Sequence, residues 1–265
     1  MINSFRNNLR LLKEKNPLIL NITNVVVTNI TANALLAIGA SPVMAYEKDE
    51  IKDMTAISNA LVINIGTLTR EFMETSFTAI ETANRLSIPV IFDPVGVGAT
   101  AYRNEAAKEI LNNFKINAIR GNASEIANLS GYSAKTKGVD SAEDNILQIK
   151  ELSCLLSQKH NCIVCASGKE DIITDSKTTY GVKNGNIMLT KITGSGCIST
   201  SVMGAFMAVG NNFLTACTAA ATMVGISGEI ASKNAKGLGH FQIEFFDNLS
   251  LFNENSFESA KVNLL

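Results

Sequence analysis

The chain lacks tryptophan altogether and has only four prolines and two histidines among its 265 residues. Its 23 basic and 24 acidic side chains nearly cancel, so the charge gives no footprint for nucleic acid or for an anionic membrane. We find no apolar run that approaches the roughly 18 residues needed to cross a bilayer. The N-terminal segment has no apolar signal core or cleavage site, so we expect a cytoplasmic protein without nucleic-acid or membrane partners.

Five cysteines are present, an odd number without a repeated spacing. Cys162 and Cys165 form a C-x-x-C pattern, but their segment has the composition of a buried strand. Side chains three apart on a strand point to opposite faces, so the two thiols cannot close on one ion. With only two histidines, His160 and His240, and no second cysteine pair, we exclude a metal site built on cysteine.

Short apolar runs alternate with segments of helical spacing along the chain. The runs are continuous rather than alternating, as in strands buried on both faces, and cover residues 18–22, 61–65, 89–93, 116–120 and 162–166. Helical spacing follows in residues 29–40 and 70–86. This alternation predicts an α/β fold with three layers, a mostly parallel central sheet flanked by helices. We see no linker or repeat and expect one domain over residues 1–265.

The second half departs from this alternation. Residues 171–175 and 178–192 have the pattern of antiparallel strands, with Asn184-Gly185 as a turn signal. A C-terminal helical segment follows, with helices predicted over 197–209, over 213 to about 233, and from about residue 240. The middle helix is rich in small residues, which permit close helix packing.

Polar residues stand where predicted strands end, and ligands of open α/β sheets bind at those ends. Asp93 ends one strand and Arg120 another, while Ser167 ends a third. Glu125, three residues after Asn122, fits either a helix capping box or a carboxylate near a metal-bound phosphate. Asp93 is equally open to a role as a turn former. Together Asp93 and Glu125 could give a hard cation such as Mg²⁺ two oxygen ligands.

The stretch TGSGC contains Gly194, Ser195, Gly196 and Cys197 at the start of a predicted helix. Unpaired amides and the helix dipole make such a start a site for anions, although a tight turn before a packed helix explains the same glycines. The helix start should lower the pKa of the Cys197 thiol, which could then act as a weak base. The alternative for this cysteine is a buried small hydrophobe.

The segment 21–46 carries four asparagines within thirteen residues, among them Asn24. Asparagine lowers helix propensity, so some of these side chains should bond to something specific. Met44 is a soft apolar side chain suited either to an aromatic ring or to core packing. GVGATA, residues 96–101, fits a dinucleotide fingerprint formally, but the next strand ends in Arg120 instead of a ribose-binding carboxylate.

Four motifs together resemble one family. Residues 21–44, DPVGVGAT (93–100), RGNASEI (120–126) and TGSGC (193–197) occur in the order seen in bacterial hydroxyethylthiazole kinases, which are ribokinase-like proteins. The resemblance covers about residues 21–239. It implies phosphorylation of the hydroxyl of 4-methyl-5-(2-hydroxyethyl)thiazole by ATP and Mg²⁺, a salvage step toward thiamine. It also implies a homotrimer with active sites at subunit interfaces.

The resemblance also assigns roles to single residues. It implies that Met44, Asn24 and Gly194 bind the substrate, that Arg120 and Ser167 bind ATP, and that Asp93 and Glu125 lie in the magnesium–phosphate region. Cys197 stands where sugar kinases of the superfamily carry a base aspartate. The alternatives are a hydroxymethylpyrimidine-type kinase and a non-catalytic ligand-binding regulator on the same fold. A dinucleotide oxidoreductase ranks third, because the ribose carboxylate is missing.

Overall fold

The structure is a computed structural model that describes residues 1–132 and 142–265, with side chains described outside residues 142–145. Its centre is a nine-stranded sheet in the order β2-β1-β3-β4-β5-β6-β7-β8-β9. The strands are β1 Leu18–Ile22, β2 Ser41–Val43, β3 Ala60–Asn64, β4 Val90–Asp93, β5 Ala118–Asn122, β6 Ile163–Ser167, β7 Asp171–Thr174, β8 Thr179–Val182 and β9 Val262–Leu264. Strands β1 to β6 pair in parallel, and the three remaining pairs are antiparallel.

Helices cover both faces of this sheet. They are α1 Ile2–Lys15, α2 Thr28–Ile38, α3 Ile51–Ala56, α4 Arg70–Leu86, α5 Ala101–Asn113, α6 Ala123–Leu129, α7 Ala142–His160, α8 Ser195–Val209, α9 Phe213–Asn234 and α10 Leu238–Ser250, with 3₁₀ helices at Ile187–Lys191 and Glu254–Ser259. One hydrophobic core joins α1, α2, α8, α9 and α10 to the first face. A second core joins α3 to α7 to the other face. The predicted three-layer α/β architecture is confirmed.

Strand β3 shows how the continuous apolar runs divide between the two cores. Ala60 and Val62 point into the first core, whereas Leu61 and Ile63 point into the second. Because side chains alternate along a strand, a strand covered by helices on both faces must be apolar at every position. All five predicted strands are present, with ends that differ by up to two residues.

The prediction for the antiparallel region needs one correction. The hairpin joins β7 to β8 through residues 175–178, and β8 ends at Val182. Asn184-Gly185 therefore lies beyond the hairpin instead of forming its turn. The Asn184 side chain bonds to the carbonyl of Ser259 at 3.0 Å and to the amide of Lys261 at 2.7 Å, and so anchors the segment that enters β9.

The C-x-x-C cysteines and the apolar helix α9 test two further expectations. Cys162 lies in the second core and Cys165 in the first, which confirms that their thiols face opposite sides of the sheet. The expectation that no segment is long and apolar enough to span a membrane is wrong for helix α9 by length and composition. Its most apolar window is 78% buried inside the fold, as in the core helix of a globular domain.

Candidate active site

Side chains from the carboxyl ends of three neighbouring strands meet at the start of helix α8. Asn24, after β1, donates from Nδ2 to Oδ1 of Asn64 at 2.8 Å. Asn64, the last residue of β3, donates to Oδ2 of Asp93 at 2.8 Å and to the sulfur of Cys197 at 3.2 Å. Thr200, one turn further along α8, donates to the same oxygen of Asp93 at 2.8 Å. This polar cluster is largely buried, so its geometry is fixed by the fold.

The carboxylate of Asp93 is 1% exposed and has unequal oxygens. Oδ2 accepts two hydrogen bonds, while Oδ1 is buried with no hydrogen-bond partner among the residues that the structure describes. The pKa of Asp93 is raised to about 6. Burial is the main cause and the nearby charge of Glu125 acts in the same direction, while Arg120, Thr200 and Asn64 lower the pKa and offset part of the rise. A buried carboxylate oxygen without a donor suits a hard cation or a metal-bound water.

Both oxygens of Glu125 are already hydrogen-bonded to the main chain. Oε1 accepts from the amide of Gly96 and Oε2 from the amide of Asn122, each at 2.8 Å, and Asn122 caps the helix in return. The capping box considered from the sequence is therefore present. Across the described parts of the chain, no group of three or more His, Cys, Asp or Glu side chains could hold a metal. Asp93 fits a magnesium ion better than Glu125 does.

Helix α8 begins at Ser195, two residues earlier than the sequence predicts. Its N-cap, Gly194, has φ +85°, and a Cβ there would lie 2.8 Å from Val27 and still closer to Ile30. The first intrahelical bond runs from the amide of Ile198 to the carbonyl of Gly194. The preceding amides of the helix consequently have no helical acceptor, as an anion site requires.

The structure contradicts the expectation that the helix start lowers the pKa of Cys197. Burial raises the pKa of this thiol to about 11, and the charge of Asp93 acts in the same direction. Hydrogen bonds from Asn64 and Asn24, the second at 3.6 Å, favour the thiolate but do not offset burial. The thiol is therefore protonated at neutral pH.

Arg120 links the start of α8 to the next strands. Its Nη2 donates to Oγ of Ser167 at 2.9 Å, and Ser167 in turn donates to the carbonyl of Gly121 at 3.3 Å. A Cβ on Gly196 would lie 2.5 Å from Nη1 of Arg120, so only glycine lets the guanidinium lie against the first turn of α8. Nε of Arg120 is buried without a partner. The arginine and the helix amides thus form one basic surface.

Met44 lies apart from this hydrogen-bonded cluster. It comes directly after the edge strand β2, at the carboxyl ends of the parallel strands, and is partly exposed. Tyr46, two residues further on, donates to the carbonyl of Thr23 at 3.1 Å, which brings the loop beside the residue that precedes Asn24.

Sequence reasoning missed Asn64 and Thr200. Asn64 is the hub of the cluster, since it bonds to Asn24, Asp93, Cys197 and the amide of Gly66. Its signal was a polar residue inside the apolar run 61–65, where an unpaired amide would be unfavourable. Thr200 gave no comparable signal, because a threonine in a helix usually bonds to its own backbone.

An open, mostly parallel sheet that converges on a buried carboxylate, an arginine and a glycine-rich helix start defines a class of small-molecule kinases with a ribokinase-like fold. A sequence profile of the hydroxyethylthiazole kinase family matches residues 9–255. The chain belongs to that family and is a kinase.

Solved structures agree with this assignment. The hydroxyethylthiazole kinase protein of Pyrococcus horikoshii OT3 is 38% identical, with a TM-score of 0.91 over 98% of each chain. The pyridoxal kinase of Staphylococcus aureus, solved with pyridoxal, is 17% identical, with a TM-score of 0.63 over 94% of this chain and 98% of its own. An ADP/ATP-dependent NAD(P)H-hydrate dehydratase of Bacillus subtilis, co-crystallized with ATP/Mg²⁺, is 13% identical, with a TM-score of 0.57 over 89% and 90%. The last two share the fold alone.

Proposed function

We propose that the chain transfers the γ-phosphoryl group of ATP to the hydroxyl of 4-methyl-5-(2-hydroxyethyl)thiazole, in the salvage of thiamine in the cytoplasm. The polar cluster of Asn24, Asn64, Asp93 and Cys197 at the start of α8 carries the proposal. It places hydrogen-bonding groups, a carboxylate and helix amides within one buried site. Phosphoryl transfer needs mainly such positioning and charge stabilisation.

The substrate would lie at the asparagine end of this cluster. Asn24 and Gly194 would contact the thiazole alcohol, with Met44 against the ring. The alcohol oxygen would then lie beside Cys197, where the amides of Ser195, Gly196 and Cys197 can stabilise the transferred group. Gly194 supports this arrangement, because as the N-cap of α8 it places no side chain between those amides and a ligand.

ATP would occupy the ends of β5 and β6. Arg120 would contact the phosphate oxygens, and Ser167 holds its guanidinium in place. Asp93 would hold Mg²⁺ through its free oxygen, directly or through water, with Glu125 as a nearby negative charge. Bound Mg²⁺ would supply neutralising charge for the phosphates.

Cys197 would accept the proton of the substrate hydroxyl, but weakly. With a pKa of about 11 the thiolate is only about one part in ten thousand at pH 7. The amides of Asn64 and Asn24, which donate to the sulfur, favour its ionised form. A slow enzyme whose rate rises with pH is the expected result.

The proposal is tested by measuring the release of ADP from Mg-ATP with the thiazole alcohol as acceptor and, separately, with hydroxymethylpyrimidine as acceptor. We expect turnover with the thiazole alcohol and formation of its phosphate ester, identified by mass spectrometry. Faster turnover of the pyrimidine would favour a hydroxymethylpyrimidine-type kinase. Thiazole binding without any ADP release would indicate a ligand-binding regulator instead.

A further inference from the structure

Arg103 lies in the first turn of helix α5, at a position where a cation is unfavourable. The positive end of the helix dipole is there, and acidic side chains are the stabilising ones. Thr100 caps the helix by accepting from the amide of Arg103 at 3.3 Å, so the backbone of the arginine serves the helix. Its side chain is only partly exposed and leaves the helix for another purpose.

The guanidinium of Arg103 bonds to three main-chain carbonyls in two different loops. Nη1 donates to the carbonyl of Ile65 at 2.5 Å and to that of Val95 at 2.8 Å. Nη2 donates to the carbonyl of Gly66 at 2.8 Å. The first loop follows β3 and the second follows β4, so one planar fork joins the ends of two neighbouring strands. A lysine carries the same charge but cannot present this fork.

A glycine in the second loop makes room for the arginine. Gly96 has φ +78°, and a Cβ there would lie 3.1 Å from Cδ of Arg103. The amide of Gly96 also donates to Glu125, which extends the connection to the first turn of α6. Arg103 thus touches a loop that is itself bonded to the magnesium–phosphate region.

The first loop has a matching connection to the substrate side. A Cβ on Gly66 would lie 2.9 Å from Cβ of Asn24, so the loop packs directly on that asparagine. The amide of Gly66 donates to Oδ1 of Asn64 at 3.0 Å, and the hydroxyl of Thr67 accepts from the amide of Val25 at 3.1 Å. The carbonyls held by Arg103 therefore belong to the segments that carry Asn64 and Asp93.

We propose that Arg103 is a positioning residue: its fork on the carbonyls of Ile65, Gly66 and Val95 sets the spacing between the substrate side and the phosphate side of the site. It touches neither substrate in this assignment and acts through Asn64 and Asp93. The kinetic part of the inference rests on the proposed kinase activity, whereas the connection between the loops does not.

Measurements of kcat test this role in two variants, Arg103→Ala and Arg103→Lys. Arg103→Ala is also measured with added ethylguanidinium. Losing the donor to three partly buried carbonyls should lower kcat about tenfold or more, with smaller changes in KM. Lysine should restore little, while ethylguanidinium should restore kcat and ethylammonium should not. Arg10→Ala is the matched control, since within residues 1–132 and 142–265 that arginine bonds only to Glu14 and Asn7, on the exposed face of α1.

Hydrogen exchange gives a readout that needs no turnover. In Arg103→Ala, amides in residues 64–68 and 93–98 should exchange faster, and ethylguanidinium should slow them again. Should Arg103→Ala fail to fold, Arg103→Lys takes its place in both measurements. A kcat within about twofold of wild type in the folded variant, or equal rescue by ethylammonium, overturns the proposal. If wild type makes no phosphate ester, the kinase function fails and exchange alone decides whether the fork joins the loops.

Discussion

At the scale of single residues, the thiol of Cys197 experiences two opposing influences. Burial and the charge of Asp93 raise its pKa to about 11, while the amides of Asn64 and Asn24 donate to the sulfur. A thiol in this environment ionises rarely. Its contribution should therefore show in the rate and its pH dependence rather than in affinity.

We expect Cys197→Ala to lower kcat about a hundredfold at pH 9, the lower end of what a general base contributes. The Kd for the thiazole alcohol should change little, as isothermal calorimetry can show. In wild type, kcat should rise with pH between 7 and 10, because the thiolate fraction increases until pH reaches the pKa of about 11. The variant should lose this rise.

Cys154→Ala is a suitable control, because Cys154 lies on α7 and contacts Thr174 and Thr179 beside the amino end of β6, at the opposite edge of the sheet from the site. Unchanged turnover in Cys197→Ala would remove Cys197 from proton transfer. A retained pH rise in that variant would assign the rise to another group.

Asp93 combines a functional role with a cost to stability. Its pKa rises from 3.8 to about 6 on folding, so the folded state favours the neutral carboxyl. Because the carboxyl of the unfolded chain ionises first, the free energy of unfolding falls as pH rises from 3.8 to about 6. The loss is about 3 kcal/mol above that range, where both states are ionised, and is absent below pH 3.8. A neutral side chain of the same shape should remove this penalty.

We accordingly expect Asp93→Asn to raise Tm by about 5 °C at pH 8, without metal or nucleotide, and by much less at pH 4.5. The same change should lower kcat at least about a hundredfold, because a charged oxygen is lost from the site. Asp53→Asn, on the exposed side of α3, is the control. A lower Tm at pH 8 would contradict the assigned penalty.

Residues of the site were predictable from the sequence where they end an apolar run. Asp93, Arg120 and Ser167 stand out because each is a polar residue at the end of a mostly apolar run in the sequence, although β5 continues two residues beyond Arg120. Asn64 and Thr200 do not, since their importance comes from partners 29 and 107 positions away from them in the chain. The pKa of Cys197 was mispredicted because the helix start was visible in the sequence, whereas burial and the charge of Asp93 were not.

At the scale of elements, Gly194 fixes where helix α8 starts. Its φ of +85° suits glycine, and its Cα lies against Val27 and Ile30 at the start of α2. A methyl group here would strain the backbone and push α2 away from the site at the same time. The packing of α2 against α8 therefore depends on the missing side chain of Gly194, the residue at which we also propose a substrate contact.

Gly194→Ala should destabilise the fold by about 2 kcal/mol or more and lower kcat, as thermal unfolding and ADP release can show. Gly239→Ala is the matched control: it makes the same change in α10, where a Cβ would meet no atom within 4 Å. Equal effects of the two substitutions would argue against a special role for the Gly194 conformation.

Elements were predictable when hydrophobic patterning alone determines them. Helix α4 covers residues 70–86 as its spacing of apolar residues predicts. Strands β2 and β9 escaped prediction because each has three residues and pairs at an edge of the sheet, where no continuous apolar run is needed. Pro42 fits β2 for the same reason, since an edge strand tolerates a missing donor.

At the scale of the whole molecule, exposed apolar side chains lie beside the buried polar cluster. Val25 and Val26 directly follow Asn24 and are 70% and 64% exposed. Ile187, in the segment that leads to α8, is 71% exposed. Adjacent exposed apolar side chains next to a site are typical of an interface.

We propose that a homotrimer with shared active sites, as the family resemblance implies, covers that surface. Val26→Asp should place charge in the interface and so dissociate the assembly, which light scattering would register as a fall from three chain masses to one. If the neighbouring subunit completes the thiazole pocket, kcat should fall together with the mass, and high protein concentration should restore both. Leu155→Asp, which changes an exposed leucine of α7 on the opposite layer, should leave mass and rate unchanged. A monomeric Val26→Asp variant with full activity would show that one chain holds a complete site, and Met44 would then have to reach the ring within its own chain.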